Sequence, residues 1–335
     1  MTTRHEFHIA RAAAPSVRRN VWVRLEDSDG LDGWGEAAPN AYYAESVETV
    51  VAALEQMRPV LDPVHTFKVD GLALIERDLA SAARDAASAR AAVSAALLDM
   101  LGKRSARPVY HVLGMDPAQA PASSYTIGID HLDAMRDKVR AATNYPILKI
   151  KVGTAQDEAV LSMLREERPD AVIRVDANTA WSRDTALRNL AVLSSYGVEL
   201  IEQPLPADDW EGMARLRRVT DIPIIADESC RFEGDVERLH GCVDGVNIKL
   251  AKCGSLLEAM RIAAAARQRD MSVMVGCMIE STLGIAAGIQ LAPLADYADL
   301  DGAALLARDY FNGPGLEANG RLRFNRGPGL GVTAI

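Results

Sequence analysis

Three acidic residues, Asp176, Glu202 and Asp227, each close a short apolar run and follow one another at steps of 26 and 25 residues. Two further runs end in lysine: Ile147-Leu148-Lys149-Ile150-Lys151 and Val246-Asn247-Ile248-Lys249. Carboxylates brought together repel one another unless a cation offsets the charge, and oxygen donors with open positions suit Mg²⁺. Lys149 and Lys151 lie two apart, so on a strand they point the same way. A cation with a lysine on either side is an arrangement for proton transfer at carbon. The cation neutralises an enolate while either lysine removes or returns the proton. Crowded cations and partial burial are expected to depress the lysine pKa toward neutrality. Each residue type also has a plainer use: Asp is a common helix N-cap, and structural ion pairs imitate functional sites. Capping explains one acid at a strand end well and three in succession poorly.

The elements that would position these groups are read from the same spacing. From Lys151 to Asp176, Glu202, Asp227, Lys249 and Gly276 the steps are 25, 26, 25, 22 and 27 residues, the length of one strand, one helix and two loops. Continuous apolar strands alternating with helices describe a parallel sheet buried on both faces. The fold class is therefore α/β, a (β/α)7-8 TIM-like barrel, with the acids and lysines at the C-terminal strand ends where such barrels hold their chemistry. Ser124 to Ile129 would be the first barrel strand and Ala298 to Asp301 the eighth.

A chain of 335 residues exceeds the usual barrel of about 250 and leaves room for a second domain. Its N-terminal third reads as α+β. Phe7 to Arg11 and Val21 to Glu26 look like strands, and Asp27-Ser28-Asp29-Gly30 looks like a hairpin turn. Helices follow over Ala44 to Met57, Val69 to Ala80 and the Ala-rich Ala82 to Leu101, with Gly102 as a stop signal. The expected organisation is a capping domain over 1–117, the barrel over 118–310, and a turn-rich segment over 311–335 returning to the capping domain. The net charge of −9 argues against nucleic acid or an anionic membrane as partner, and no run is long and apolar enough to span a bilayer. Cys230, Cys242, Cys253 and Cys277 have no metal-finger spacing and read as reduced residues of a cytoplasmic protein. A homo-oligomer is compatible with this composition.

Taken as an ordered set, Lys149-Ile150-Lys151, Asp176-Ala177-Asn178, Glu202-Gln203-Pro204, Asp227-Glu228-Ser229 and Asn247-Ile248-Lys249 resemble the enolase superfamily in its muconate-lactonizing subgroup. Gly33-Trp34-Gly35-Glu36-Ala37 extends the likeness into the capping domain. The resemblance implies one Mg²⁺ held by Asp176, Glu202 and Asp227, and proton transfer by Lys151 and Lys249 with Lys149 assisting. A Lys or His base beside Mg²⁺ is the known arrangement of enolase-superfamily sites.

Asp299-Leu300-Asp301 and Arg308-Asp309-Tyr310-Phe311-Asn312-Gly313 are similar to the dipeptide epimerase branch. Two carboxylates facing the mouth suit a substrate ammonium through charge-assisted hydrogen bonds. The implied activity is inversion of the C-terminal residue of a dipeptide, L-Ala-D/L-Glu or related. The alternatives are an N-acylamino acid racemase or o-succinylbenzoate synthase on the same scaffold, and a non-catalytic binding protein of the same fold. Thr126 and Met278 are expected at the mouth, with Glu228, Glu280 and Ser281 nearby. Relatives carry a closing loop of some twenty residues between the first two strands, whereas only Ala12 to Asn20 stands between them as read here. Arg18 and Arg19 lie in that stretch, placed either to meet a substrate carboxylate or to remain surface charges.

Overall fold

The computed structural model describes residues 1–11, 17–62 and 69–335. Eight parallel strands occur in sequential order: β3 (Tyr125–Ile127), β4 (Ile147–Lys151), β5 (Val172–Asp176), β6 (Val198–Glu202), β7 (Ile224–Ala226), β8 (Gly245–Lys249), β9 (Ser272–Gly276) and β10 (Tyr297–Asp299). Ser123 bridges Ala298 in parallel, which brings the two ends of the sheet together. Alternation along each strand divides the side chains between two environments. Leu200, Ile225 and Met274, with Tyr297 against them, form a small apolar cluster separate from the main core. The same alternation puts Glu202 and Gly276 two residues further along β6 and β9, and Asp227 directly after β7, on the same side of the strands. Below the mouth the interior thus holds this apolar cluster together with buried Arg174, whose guanidinium lies 5.0 Å over the Tyr297 ring, and the C-terminal mouth above is charged.

The capping domain pairs β1 (Val21–Glu26) with β2 (Asp32–Ala37) in an antiparallel hairpin. The expected turn is present: Gly30 has φ +78°, and its N–H donates to Asp27 O at 3.0 Å. Three helices follow, α1 (Val47–Leu61), α2 (Val69–Ala82) and α3 (Ala87–Arg104). The Ala-rich α3 is buried nearly all round, as its small side chains permit, and it packs on β2. Among the described residues, no helix is long and apolar enough to cross a membrane.

Several boundaries depart from the sequence reading. Phe7 to Arg11 is not a strand: it carries isolated bridges at His8 and Ile9, with His8 paired to Ile129 beyond β3, while Thr3 bridges Leu306. The chain ahead of β1 therefore lies along the barrel instead of joining the hairpin. The stretch leading to β1 is not limited to the nine residues from Ala12 to Asn20, of which 12–16 lie outside the described residues. The third helix opens at Ala87 instead of Ala82 because Arg90 Nη1 donates to Ala83 O at 2.6 Å and to Arg84 O at 2.5 Å. Those carbonyls at the end of α2 are satisfied by a cation and need no continuing helix. Gly102 does not stop α3. A Cβ there would lie 2.7 Å from Gly329 Cα, so the glycine admits the C-terminal segment against the helix. Leu330 N–H accordingly donates to Asp99 Oδ1 at 2.7 Å. The last barrel strand ends at Asp299, leaving Asp301 in the loop beyond it.

Candidate active site

Parallel pairing sets the charged strand ends level. Lys151 lies opposite Asp176, and Asp176 opposite Glu202, in the registers of β4–β5 and β5–β6. Asp227 follows β7 directly. One carboxylate oxygen from each of Asp176, Glu202 and Asp227 falls within 4.8 Å of the other two, and all three residues are buried. Asp176 also bonds locally, since Asn178 N–H donates to its Oδ1 at 2.8 Å, whereas no backbone N–H donates to the Asp227 carboxylate among the described residues. Convergence and local bonding coexist here.

Four lysines enter this cluster. Lys149 Nζ lies 2.7 Å from Asp299 Oδ2, 2.6 Å from Glu202 Oε2 and 3.1 Å from Asp176 Oδ2. Lys151 Nζ donates to Asp176 Oδ2 at 2.6 Å, and Lys249 Nζ donates to Asp227 Oδ2 at 2.7 Å. Lys252, three residues beyond Lys249, donates to Asp227 Oδ1 at 2.5 Å and to Asn247 O at 2.9 Å. Strand spacing does not single out Lys252, because it belongs to the short helix Leu250–Cys253. At Gly276 an added Cβ would lie 2.7 Å from Asn247 Oδ1 and 3.1 Å from Lys249 Cε, so this glycine makes room for the lysine stem.

The electrostatics correct one expectation. Burial pulls the Lys149 ammonium down, yet attraction from Asp299, Glu202 and Asp176 outweighs it and holds the group well above its ordinary value. Lys249 behaves alike: burial lowers it, and Asp227 and Glu202 raise it further. Neither is depressed toward neutrality, because each ammonium faces carboxylates more closely than it faces other cations. Burial, joined by repulsion from Asp176, pushes the Glu202 carboxyl up to about 7. Burial would also raise Asp176, but Lys151, Lys149 and Lys249 hold it below its usual range.

The donor set fits a divalent cation. Glu202 Oε1 accepts from Asn247 Nδ2 at 2.8 Å, while the buried Oε2 has no hydrogen bond despite its ionic contact with Lys149. An all-carboxylate set, with Glu202 Oε2 held by the Lys149 ammonium alone among the described residues, matches the preference of Mg²⁺ for hard oxygen ligands.

The mouth opens into a pocket of about 780 Å³ lined from both the barrel and the capping domain. Lys149, Lys151, Lys249, Asp299 and Asp301 border it, as do Thr126 and Met278. The two aspartates have unequal partners. Asp299 accepts from Lys149 at 2.7 Å and from Ser124 Oγ at 2.6 Å, whereas Asp301 accepts the Thr126 N–H at 2.6 Å. Burial, then repulsion from Asp299, pushes Asp301 up to about 7. Arg18 and Arg19 also border the pocket but differ in kind. Arg19 reaches Glu48 at 3.2 Å on the exposed side, while Arg18 Nε is buried with no hydrogen bond among the described residues. Arg11, which no sequence signal marks, donates to Glu228 Oε1 at 2.5 Å and lies 4.0 Å over the Tyr42 ring.

Comparison with known proteins agrees with this architecture. The family described as mandelate racemase / muconate lactonizing enzyme, N-terminal domain, matches residues 1–114, and the enolase C-terminal domain-like family matches residues 133–334. An L-Ala-D/L-amino acid epimerase from a Maribacter species is 40% identical over 313 residues, covering 91% of this chain and 89% of the relative. A dipeptide epimerase from Cytophaga hutchinsonii, crystallised with Mg and D-Ala-L-Val, superposes with a TM-score of 0.93 at 27% identity, covering 100% of this chain and 93% of that one. The dipeptide epimerase from Methylococcus capsulatus, crystallised with Mg and L-Arg-D-Lys, gives a TM-score of 0.91 at 35% identity, covering 99% and 96%. With both domains matched and the strand-end carboxylates and lysines brought together at one mouth, this chain belongs to the mandelate racemase / muconate lactonizing enzyme family of the enolase superfamily.

Proposed function

We propose that the protein is a Mg²⁺-dependent dipeptide epimerase, an isomerase that inverts the α-carbon of the C-terminal residue by two-base proton transfer. The observation that carries this reading is the placement of Lys151 and Lys249 four strands apart in an eight-stranded barrel, on β4 and β8, with the acid trio on the strands between. Lys151 takes the α-proton of one epimer while Lys249, as the ammonium, delivers a proton to the opposite face, and the two exchange roles for the other epimer. Asp176, Glu202 and Asp227 hold Mg²⁺, which when bound supplies positive charge to stabilise the substrate carboxylate as the α-carbon loses its proton. Lys149 keeps Asp176 and Glu202 in place through its three carboxylate contacts. The mouth lies between a capping domain over 1–117 and a barrel over 118–310, with 311–335 returning to the cap. The four free cysteines support a reducing, cytoplasmic setting.

The N-terminal ammonium of the dipeptide sits at Asp299 and Asp301, chiefly at Asp301, because Asp299 already accepts from two side chains. Thr126 fixes Asp301 through its backbone, and Met278 borders the pocket. Arg18, which borders the pocket, faces the second side chain, with Arg19 at the rim. An acidic second residue, as in alanyl-glutamate, suits that cation.

The test uses Asp301→Asn on free and N-acetylated dipeptides. A charge-assisted hydrogen bond is worth about 1.5–3 kcal/mol, so kcat/KM on free dipeptides should fall by one to two powers of ten, with little change on N-acetylated ones. Recognition of an ammonium needs the carboxylate form, so the wild-type kcat/KM should drop as pH falls below about 7, and the variant should lack that limb. Equal wild-type rates on free and acetylated dipeptides would favour the N-acylamino acid racemase instead.

A further inference from the structure

Glu36 belongs to the capping domain but spends its carboxylate on the barrel. It is 7% exposed, at the end of β2. Ser281 N–H donates to Oε1 at 3.1 Å, Gly284 N–H donates to Oε2 at 3.2 Å, and the Ser281 hydroxyl donates to Oε2. Ser281 is the N-cap of the helix Thr282–Ile289, so the carboxylate meets the positive end of that helix. The remaining donor comes from elsewhere. Asn20 Nδ2 donates to Glu36 Oε1 at 2.6 Å and also to Ile279 O at 3.1 Å.

Asn20 therefore joins three things: the segment ahead of β1, the cap and the loop after β9. Arg18, Arg19 and Asn20 border the pocket, as do Met278 and Ile279, and Asn20 joins the two stretches directly through Ile279 O. The buried Glu36 carboxylate and the Asn20 amide, which also donates to Ile279 O, tie these two stretches of the pocket wall together. The Met278 backbone is held from below as well, its N–H donating to Glu280 Oε1 at 3.0 Å.

We propose that Glu36 is a positioning residue for substrate selection: through Asn20 it registers the Arg18–Asn20 wall against Met278–Ile279 and so sets the room for the second side chain of the dipeptide. This rests on the dipeptide epimerase reading and adds a residue that touches neither substrate nor metal. A group that only caps a helix would change stability and leave selectivity alone. A group that sets the pocket width changes KM according to side-chain length and spares the proton transfer at Lys151 and Lys249.

The experiment measures kcat and KM for Glu36→Gln, Asn20→Ala and the double variant on L-alanyl dipeptides graded by the length of the second side chain, from L-alanyl-L-alanine upward. Glu36→Gln keeps the shape but sets an amide where Asn20 or Ser281 must donate. Asn20 is half-buried, and Asn20→Ala leaves the Ser281 helix cap intact, so it remains readable if the Glu36 variant folds poorly. The expected result is a KM increase of roughly tenfold on the longest substrates for either single variant, the loss that follows when one charge-assisted bond no longer orders a wall. KM on L-alanyl-L-alanine and all kcat values should stay within about twofold, and the double variant should be no worse than the poorer single one, because both act through one bridge. Flat KM values in both single variants with normal wild-type turnover would overturn the role of Glu36 and leave the epimerase reading standing. A wild type that turns over no dipeptide would overturn both.

Discussion

Lys249→Ala should abolish epimerisation while leaving exchange of the α-proton of one epimer intact. General acid–base groups contribute roughly two to four powers of ten, so interconversion should fall by that much. The surviving exchange is the informative part, because Lys151 on β4 would still remove and return a proton at its own face. The site should tolerate the change. Asp227 loses its 2.7 Å bond from Lys249 but keeps Lys252 at 2.5 Å on the other oxygen. Incubating each epimer separately in D₂O and following loss of the α-proton signal measures both quantities. Normal epimerisation by the variant would remove the two-base assignment.

Glu202→Gln should abolish Mg²⁺ binding at near-wild-type fold stability. Glu202 lies between Asp176 and Asp227 in the strand order, and its Oε2 is the carboxylate oxygen of the trio that accepts no hydrogen bond. Glutamine retains an oxygen for Asn247 and removes the charge. Partners outside the metal shell already alter affinity by about 10–100-fold, so a direct ligand should cost at least about a hundredfold. Thermal unfolding reads this without turnover. Wild-type protein at a Mg²⁺ concentration 100 times Kd should gain about 2.7 kcal/mol, and the variant almost nothing. An equal Mg²⁺-induced shift in both proteins would place the cation elsewhere.

The site was more legible in the sequence than the surroundings that shape it. Strand period and repeat length suffice to bring Lys151, Asp176, Glu202, Asp227 and Lys249 together, because parallel pairing sets strand ends level. The hairpin of β1 and β2 was equally readable from Asp27 to Gly30. Phe7 to Arg11 was misread as a strand because an apolar start says nothing about which partner is near, and here His8 pairs beside β3. Gly102 carries the residue type of a helix stop but is used for close approach to Gly329. Lys252, Arg11 and the Glu36–Asn20 bridge escape any local pattern, since their partners lie 25, 217 and 16 residues away. The directions expected for Lys149 and Lys249 were misjudged for a related reason: strand spacing reveals like charges approaching one another, whereas the sign of the shift depends on which carboxylate is nearest.

The central claim is that one α-carbon, that of the second residue of a dipeptide, is held between two lysines. Incubation of wild-type protein with Mg²⁺ and a library of L,L-dipeptides in D₂O, followed by mass spectrometry and chiral analysis, tests it most directly. The account predicts one deuterium per molecule, located at the α-carbon of the C-terminal residue, with L,L and L,D epimers accumulating together. Deuterium at the N-terminal residue, or incorporation into N-acyl amino acids with none into dipeptides, would contradict it.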